Sequence, residues 1–168
     1  MRRGAVFGLT VLTAVLLQST VFARLTIFSV SPDLVLAVVI CFALIDGPTT
    51  GSILGFSGGM LRDLLLDAPK GLTGLSYLIV GYVVGSIRPY FQTTSVVVPL
   101  MGMFAGSLGA SLLYELLEGM LGRRTGSVGR ALIVVLLTAV YNTILVPFLY
   151  PLVRRIALLY RTEKVYQW

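Results

Sequence analysis

Histidine is absent from this 168-residue chain, and cysteine occurs once, at Cys41 inside the apolar run LAVVICFAL. Those two scarcities remove His/Cys metal sites, a Cys–His nucleophile pair and internal disulfides. Charge is scarce as well. Only 12% of the residues are Asp, Glu, Lys or Arg, against about 25% in ordinary globular domains, too few to cover a chain of this size in water. No P-loop and no HExxH motif occurs. The 13 basic residues form no stripe with interleaved aromatics, so nucleic acid is not an expected partner.

What is abundant is apolar: 57% of the chain is hydrophobic. A membrane-crossing helix takes about 20 residues, so six helices use most of the sequence and leave no room for a soluble domain. The apolar stretches, punctuated by Gly, Pro and charge, predict helices over about 4–22, 32–46, 49–66, 72–87, 95–117 and 131–153, all in a single transmembrane domain at 1–168. The first follows Met1-Arg2-Arg3 like a signal peptide, but five more hydrophobic segments succeed it, so it reads as an uncleaved helix. The second is short for a bilayer. Gly47-Pro48 turns it into the third, and Pro147 and Pro151 are expected to bend the last two turns of the sixth. The fold class is thus an all-α polytopic membrane protein with six transmembrane helices.

Both termini are basic, and six spans put them on one side, so the positive-inside rule places both in the cytoplasm. Arg2, Arg3, Arg88, Arg154, Arg155, Arg161 and Lys164 then lie inside. Five acids, Asp33, Asp63, Asp67, Glu115 and Glu118, gather at the outer side with Arg62 among them.

The third segment carries the clearest pattern. Gly47, Gly51, Gly55, Gly59, Asp63 and Asp67 are spaced four apart, which on a helix makes one smooth ridge ending in carboxylates. Small residues at this spacing let another backbone approach closely in lipid. Packing within the bundle is the plainer reading of the ridge, and a face for a partner helix is the sharper one. Gly81 and Gly85, and Gly102 and Gly106 with Ala110, repeat the pattern more weakly. Arg62 and Asp63 are costly inside a span, and point about 100° apart on a helix, so each needs compensation from elsewhere. A salt bridge to another helix and a binding site are both open for Arg62. The polar residues Gln18, Ser57, Tyr77, Tyr82, Ser107, Tyr141 and Asn142 either bond between helices or line a pocket.

Taken in order, Gln18, Ser31-Pro-Asp-Leu-Val-Leu36, Gly47 to Gly51, Gly55-Phe-Ser-Gly-Gly-Met-Leu-Arg-Asp-Leu-Leu65, Gly71, Tyr77, Gly81-Tyr82 and Gly85, with the later Tyr141-Asn142 and Pro147, resemble the MreD family of bacterial rod-shape-determining membrane proteins. The resemblance covers about residues 1–155. It implies a non-enzymatic inner-membrane protein without cofactor, which binds the bitopic protein MreC and works in lateral peptidoglycan synthesis with the MreB filament, the glycosyltransferase RodA and its partner transpeptidase. It also implies a six-helix fold similar to the S components of energy-coupling-factor transporters. The family's motif falls on Pro32, Asp33, Gly55, Phe56, Gly59, Asp63 and Tyr82. Expected partner-binding residues are Gly51, Gly55, Phe56, Gly59 and Asp63. A possible pocket or outer charge cluster comprises Pro32, Asp33, Arg62, Asp67, Tyr77, Tyr82, Glu115 and Asn142. The alternative is a small-molecule-binding S component of a vitamin uptake transporter. Such proteins dock through AxxxA faces on the first helix, whereas Ala5, Ala14 and Ala23 here are nine apart. A lipid-binding role through the outer charge cluster is a third reading.

Overall fold

The computed structural model describes residues 2–22, 31–65, 71–87, 97–122 and 128–161. Six α-helices make up these residues: α1 (Arg2–Leu17, continued by a π-helical turn over Gln18–Phe22), α2 (Leu34–Asp46), α3 (Pro48–Leu65), α4 (Leu72–Ile87), α5 (Val97–Met120) and α6 (Val128–Arg161). No strand occurs among them.

The centre of the molecule is α2. Every residue from Leu34 to Ile45 is buried, as expected of a helix that is apolar all round. It touches α1, α3, α4, α5 and α6, and Phe42 meets Phe7 of α1 edge-on at 5.3 Å between ring centroids. Its shortness has a physical account here: a helix sheathed by five others has protein rather than lipid along its sides. Asp33 begins it, the side-chain Oδ1 accepting from the Leu36 N–H at 3.1 Å. Gly47 ends it with φ 96°, a left-handed conformation that glycine adopts freely, and Pro48 opens α3 at the position where proline suits a helix start.

Helices α3 and α4 run antiparallel, as do α2 and α5, and close approaches at glycines fix their register. On α3 and α4, Pro48 meets Gly85, Gly51 meets Gly81, Gly55 meets Tyr77 and Gly59 meets Gly74. Between α2 and α5, Leu44 meets Gly102 and Ile40 meets Gly106. This order brings the start of α2, the end of α3, the start of α4, the end of α5 and the start of α6 to one end of the bundle.

Two helices, Val97–Met120 and Val128–Leu158, are long and apolar enough to cross a membrane. The sixth helix overruns its expected limits: it is 34 residues long, passes through Pro147 and Pro151, and at 1.5 Å per residue spans about 51 Å. Both prolines face outward, where their rings and missing N–H groups disturb only the exposed side of the helix.

Candidate functional site

Polar side chains converge at the end of the bundle where α2 starts. The first N–H groups of a helix lack intrahelical acceptors, and here three side chains serve them. Asn142 Oδ1 on α6 accepts from the Asp33 N–H at 2.8 Å, Gln18 Oε1 at the end of α1 accepts from Val35 at 3.0 Å, and Asp33 itself takes Leu36. Asn142 also donates from Nδ2 to the Ser107 hydroxyl on α5 at 3.0 Å. Asn142 and Ser107 are fully buried, so the network ties α1, α2, α5 and α6 together inside an otherwise apolar core.

The other oxygen of Asp33 faces α3 and α4. Tyr77 donates its hydroxyl proton to Oδ2, Arg62 Nη1 donates to the Tyr77 oxygen at 2.8 Å, and the guanidinium pairs directly with Asp33 Oδ2 at 3.3 Å. Arg62 also lies 5.9 Å from the centroid of the Tyr77 ring. The charge that α3 carries into the bundle is thus compensated across helices, by the cap of α2 and an aromatic hydroxyl of α4.

Asp63 has a different task. Its Oδ2 accepts from the N–H groups of Gly71 at 2.9 Å, Thr73 at 3.0 Å and Gly74 at 3.5 Å. It therefore caps the start of α4 from the end of α3, fully buried, where a carboxylate also suits the positive end of the helix dipole. Two polar atoms here, Arg62 Nε and Asp63 Oδ1, are buried without a hydrogen-bond partner among the described residues.

Beside these groups lies a cavity of about 390 Å³. Asp33, Arg62 and Tyr77 form one wall, with Ser31 and Thr73; Ser111, Tyr114 and Glu115 of α5 and Thr138 of α6 form the other, while Leu36, Ala110, Val134 and Val135 supply apolar surface. Ser31 opens the Ser31-Pro-Asp run of the sequence, but Thr73, Ser111, Tyr114 and Thr138 belong to no motif. A signal for them exists: 111, 114 and 115 share one face of α5, as 134 and 138 do on α6 and 73 and 77 on α4.

The remaining expected residues separate. The ridge of Gly51, Gly55 and Gly59 is filled by α4 of the same chain, so the expectation of a partner helix in that groove gives way to an intramolecular contact. The reason is steric: a methyl group at Gly59 would stand 2.6 Å from the Gly74 Cα, and one at Gly51 or Gly55 would strike the carbonyls of Gly81 or Tyr77. Phe56 and Tyr82 are exposed, away from the cavity. Pro32 is half-buried beside the Asp33 cap. Asp67 lies outside the described residues.

The pentapeptide Gly55-Phe-Ser-Gly-Gly59 spells the letters of a nucleophile elbow, which requires a strand-to-helix turn. Here it lies within α3, and the Ser57 hydroxyl donates to the Ile53 carbonyl one turn back at 2.8 Å. Among the described residues no group of three or more His, Cys, Asp or Glu is placed to hold a metal ion.

A family model described as the rod shape-determining protein MreD matches residues 2–156. The chain belongs to the MreD family. That match spans the whole polar cluster, from Gln18 to Asn142, and, of the two helices long enough to cross a membrane, all of Val97–Met120 and all but the last two residues of Val128–Leu158. No curated protein and no solved structure matches the chain. As a member of the MreD family it is a rod-shape-determining membrane protein, and two long apolar helices agree with that setting.

Proposed function

We propose that this protein is a non-enzymatic scaffold of the cell-elongation machinery, a six-span protein of the bacterial inner membrane with both termini in the cytoplasm, which receives the transmembrane helix of MreC. Through MreC it supports the MreB filament, RodA and the partner transpeptidase in lateral peptidoglycan synthesis and rod shape. The observation that carries this reading is the family match over residues 2–156. The basic termini support the orientation. The alternating helix directions and the polar cavity at one end support the likeness to S components of energy-coupling-factor transporters.

With the glycine ridge of α3 occupied, the seat for the MreC helix moves to the outer groove between α4 and α5. Val80, Val83, Val84 and Ile87 line one side of it, and Ala105, Gly109, Leu112 and Leu116 the other. Gly109 leaves room there, since a methyl group at that position meets only Val80 at 3.7 Å. Small residues in an apolar trough are what close helix packing in lipid uses.

Copurification of MreC with the wild-type chain and with Ala105→Leu and Gly109→Leu variants tests both levels. Wild type is expected to retain MreC and the variants to lose most of it while eluting as folded monodisperse protein. Undiminished recovery by folded variants overturns the groove as the seat. Absence of MreC from the wild-type sample overturns the scaffold reading.

A further inference from the structure

The cavity beside Arg62 is more than a packing defect, because its volume of about 390 Å³ lies within the ~300–1,000 Å³ typical of small-molecule sites. Three charged side chains line it. Asp33 and Arg62 neutralise one another at 3.3 Å, whereas Glu115 on the opposite wall has no hydrogen bond or ion pair among the described residues. The arrangement therefore keeps one unmatched carboxylate. A guanidinium has five N–H donors, and the hydrogen bond and ion pair of Arg62 both use Nη1, leaving the donors on Nη2 for another acceptor, while Nε is itself buried. The lining as a whole carries one net negative charge, so a ligand has to bring a cationic group to Glu115, while the unused Arg62 donors select an oxygen acceptor at its other end.

We propose that this cavity binds a small zwitterion, its ammonium group at Glu115 and its anionic oxygens at Arg62. Hydroxyls of Ser111, Tyr114 and Thr138 supply neutral hydrogen bonds between the two ends, and Val134 and Val135 cover the carbon chain that joins them. This chemistry has two sources, an aminophospholipid headgroup and a free phosphoamine. The site is independent of the α4–α5 groove, whose lining contains no charged residue, so failure of MreC binding leaves it standing.

The test is native mass spectrometry with thermal-shift titration of the full chain in detergent, using phosphatidylethanolamine, phosphatidylglycerol, phosphoethanolamine and glycerol phosphate as probes. At least one amine-bearing probe is expected to bind about tenfold more tightly than its amine-free counterpart, the scale of one charge-assisted hydrogen bond. Glu115→Gln should abolish that preference, and Ser111→Leu, which fills the cavity, should abolish binding of both. Phosphatidylethanolamine binding without phosphoethanolamine binding assigns the site to the lipid headgroup; binding of both assigns it to the zwitterion itself. Arg62→Gln strips Asp33 of its counter-charge and is scored only where the variant melts like wild type. Equal binding of amine-bearing and amine-free probes, or a preference that Glu115→Gln and Ser111→Leu leave intact, overturns the proposal, as does binding of none of the four.

Discussion

The Tyr77 hydroxyl donates its proton to the Asp33 carboxylate, so an aromatic side chain of α4 completes the group that caps α2. Tyr77 simultaneously accepts from Arg62 at 2.8 Å and is itself buried. One hydroxyl thus joins three helices at a largely buried point, where the Asp33 side chain is 9% and that of Arg62 28% exposed.

Removing that hydroxyl separates its contribution from that of the charges. Tyr77→Phe keeps the ring beneath Arg62 and leaves the direct Arg62–Asp33 pair at 3.3 Å; it is expected to cost about 1.5–3 kcal/mol, the range for a hydrogen bond to a charged group. Asp33→Ala removes the helix cap, the acceptor of Tyr77 and the counter-charge of Arg62 together, and should cost more, about 3–5 kcal/mol, as when one partner of a buried pair is deleted. Reversible unfolding in mixed detergent micelles measures both. A Tyr77→Phe loss equal to that of Asp33→Ala would show that the hydroxyl, and not the charge pair, holds the cluster.

The α3–α4 contact predicts a sharp contrast among glycines. Gly55→Ala drives a methyl group into the Tyr77 carbonyl and Gly51→Ala into that of Gly81, backbone atoms that cannot rotate away, so each should destabilise by about 1–3 kcal/mol as overpacking does. At Gly8 of α1 a methyl group meets nothing within 4 Å, and alanine there should raise stability by up to ~1 kcal/mol through helix propensity. Melting temperatures of the three variants in one detergent decide the matter: equal shifts at Gly8 and Gly55 would contradict the register of α3 on α4.

Much of this architecture is legible in the residues. The apolar run from Leu34 to Ile45 announces a helix, Gly47-Pro48 announces the turn after it, and the fourth helix, Leu72–Ile87, follows from the turn signals around it. The glycine spacing of α3 shows that some backbone comes close. What it does not show is whose, because complementary glycines at 74, 81 and 85 become meaningful only once the antiparallel register is fixed. Asp63 is obscure for a similar reason. A carboxylate ten residues before Thr73 looks like a buried charge in search of a partner, and only the approach of the α4 start to the end of α3 turns it into a cap. The cavity is the least legible, since each helix brings only one to three polar groups to it and otherwise reads as apolar.

Asn142 is expected to be irreplaceable by shape alone. Asn142→Leu keeps the approximate volume but strands the Asp33 N–H and the Ser107 hydroxyl, both buried. Buried groups left unsatisfied cost about 1–3 kcal/mol each. Pairing it with Ser107→Ala should recover part of the loss, since the double variant leaves one fewer orphan. A fully additive pair in the same unfolding assay would argue against the bond between them.

Asp63 distinguishes a structural carboxylate from a partner-binding one. Asp63→Asn retains an oxygen acceptor for Gly71, Thr73 and Gly74, whereas Asp63→Ala removes it, so the alanine variant should lose about 0.5–2 kcal/mol, the usual cost of deleting a cap, and the asparagine variant less. The helix start is positive and favours a full negative charge, which leaves a small residual deficit for asparagine. If capping is the whole role, MreC recovery should track the folded fraction in both variants. Should Asp63→Asn melt within a degree or two of wild type and yet recover no MreC, the negative charge itself would be needed for the partner's seat, acting through the buried α4 cap and not by direct contact, since Asp63 has no exposed surface.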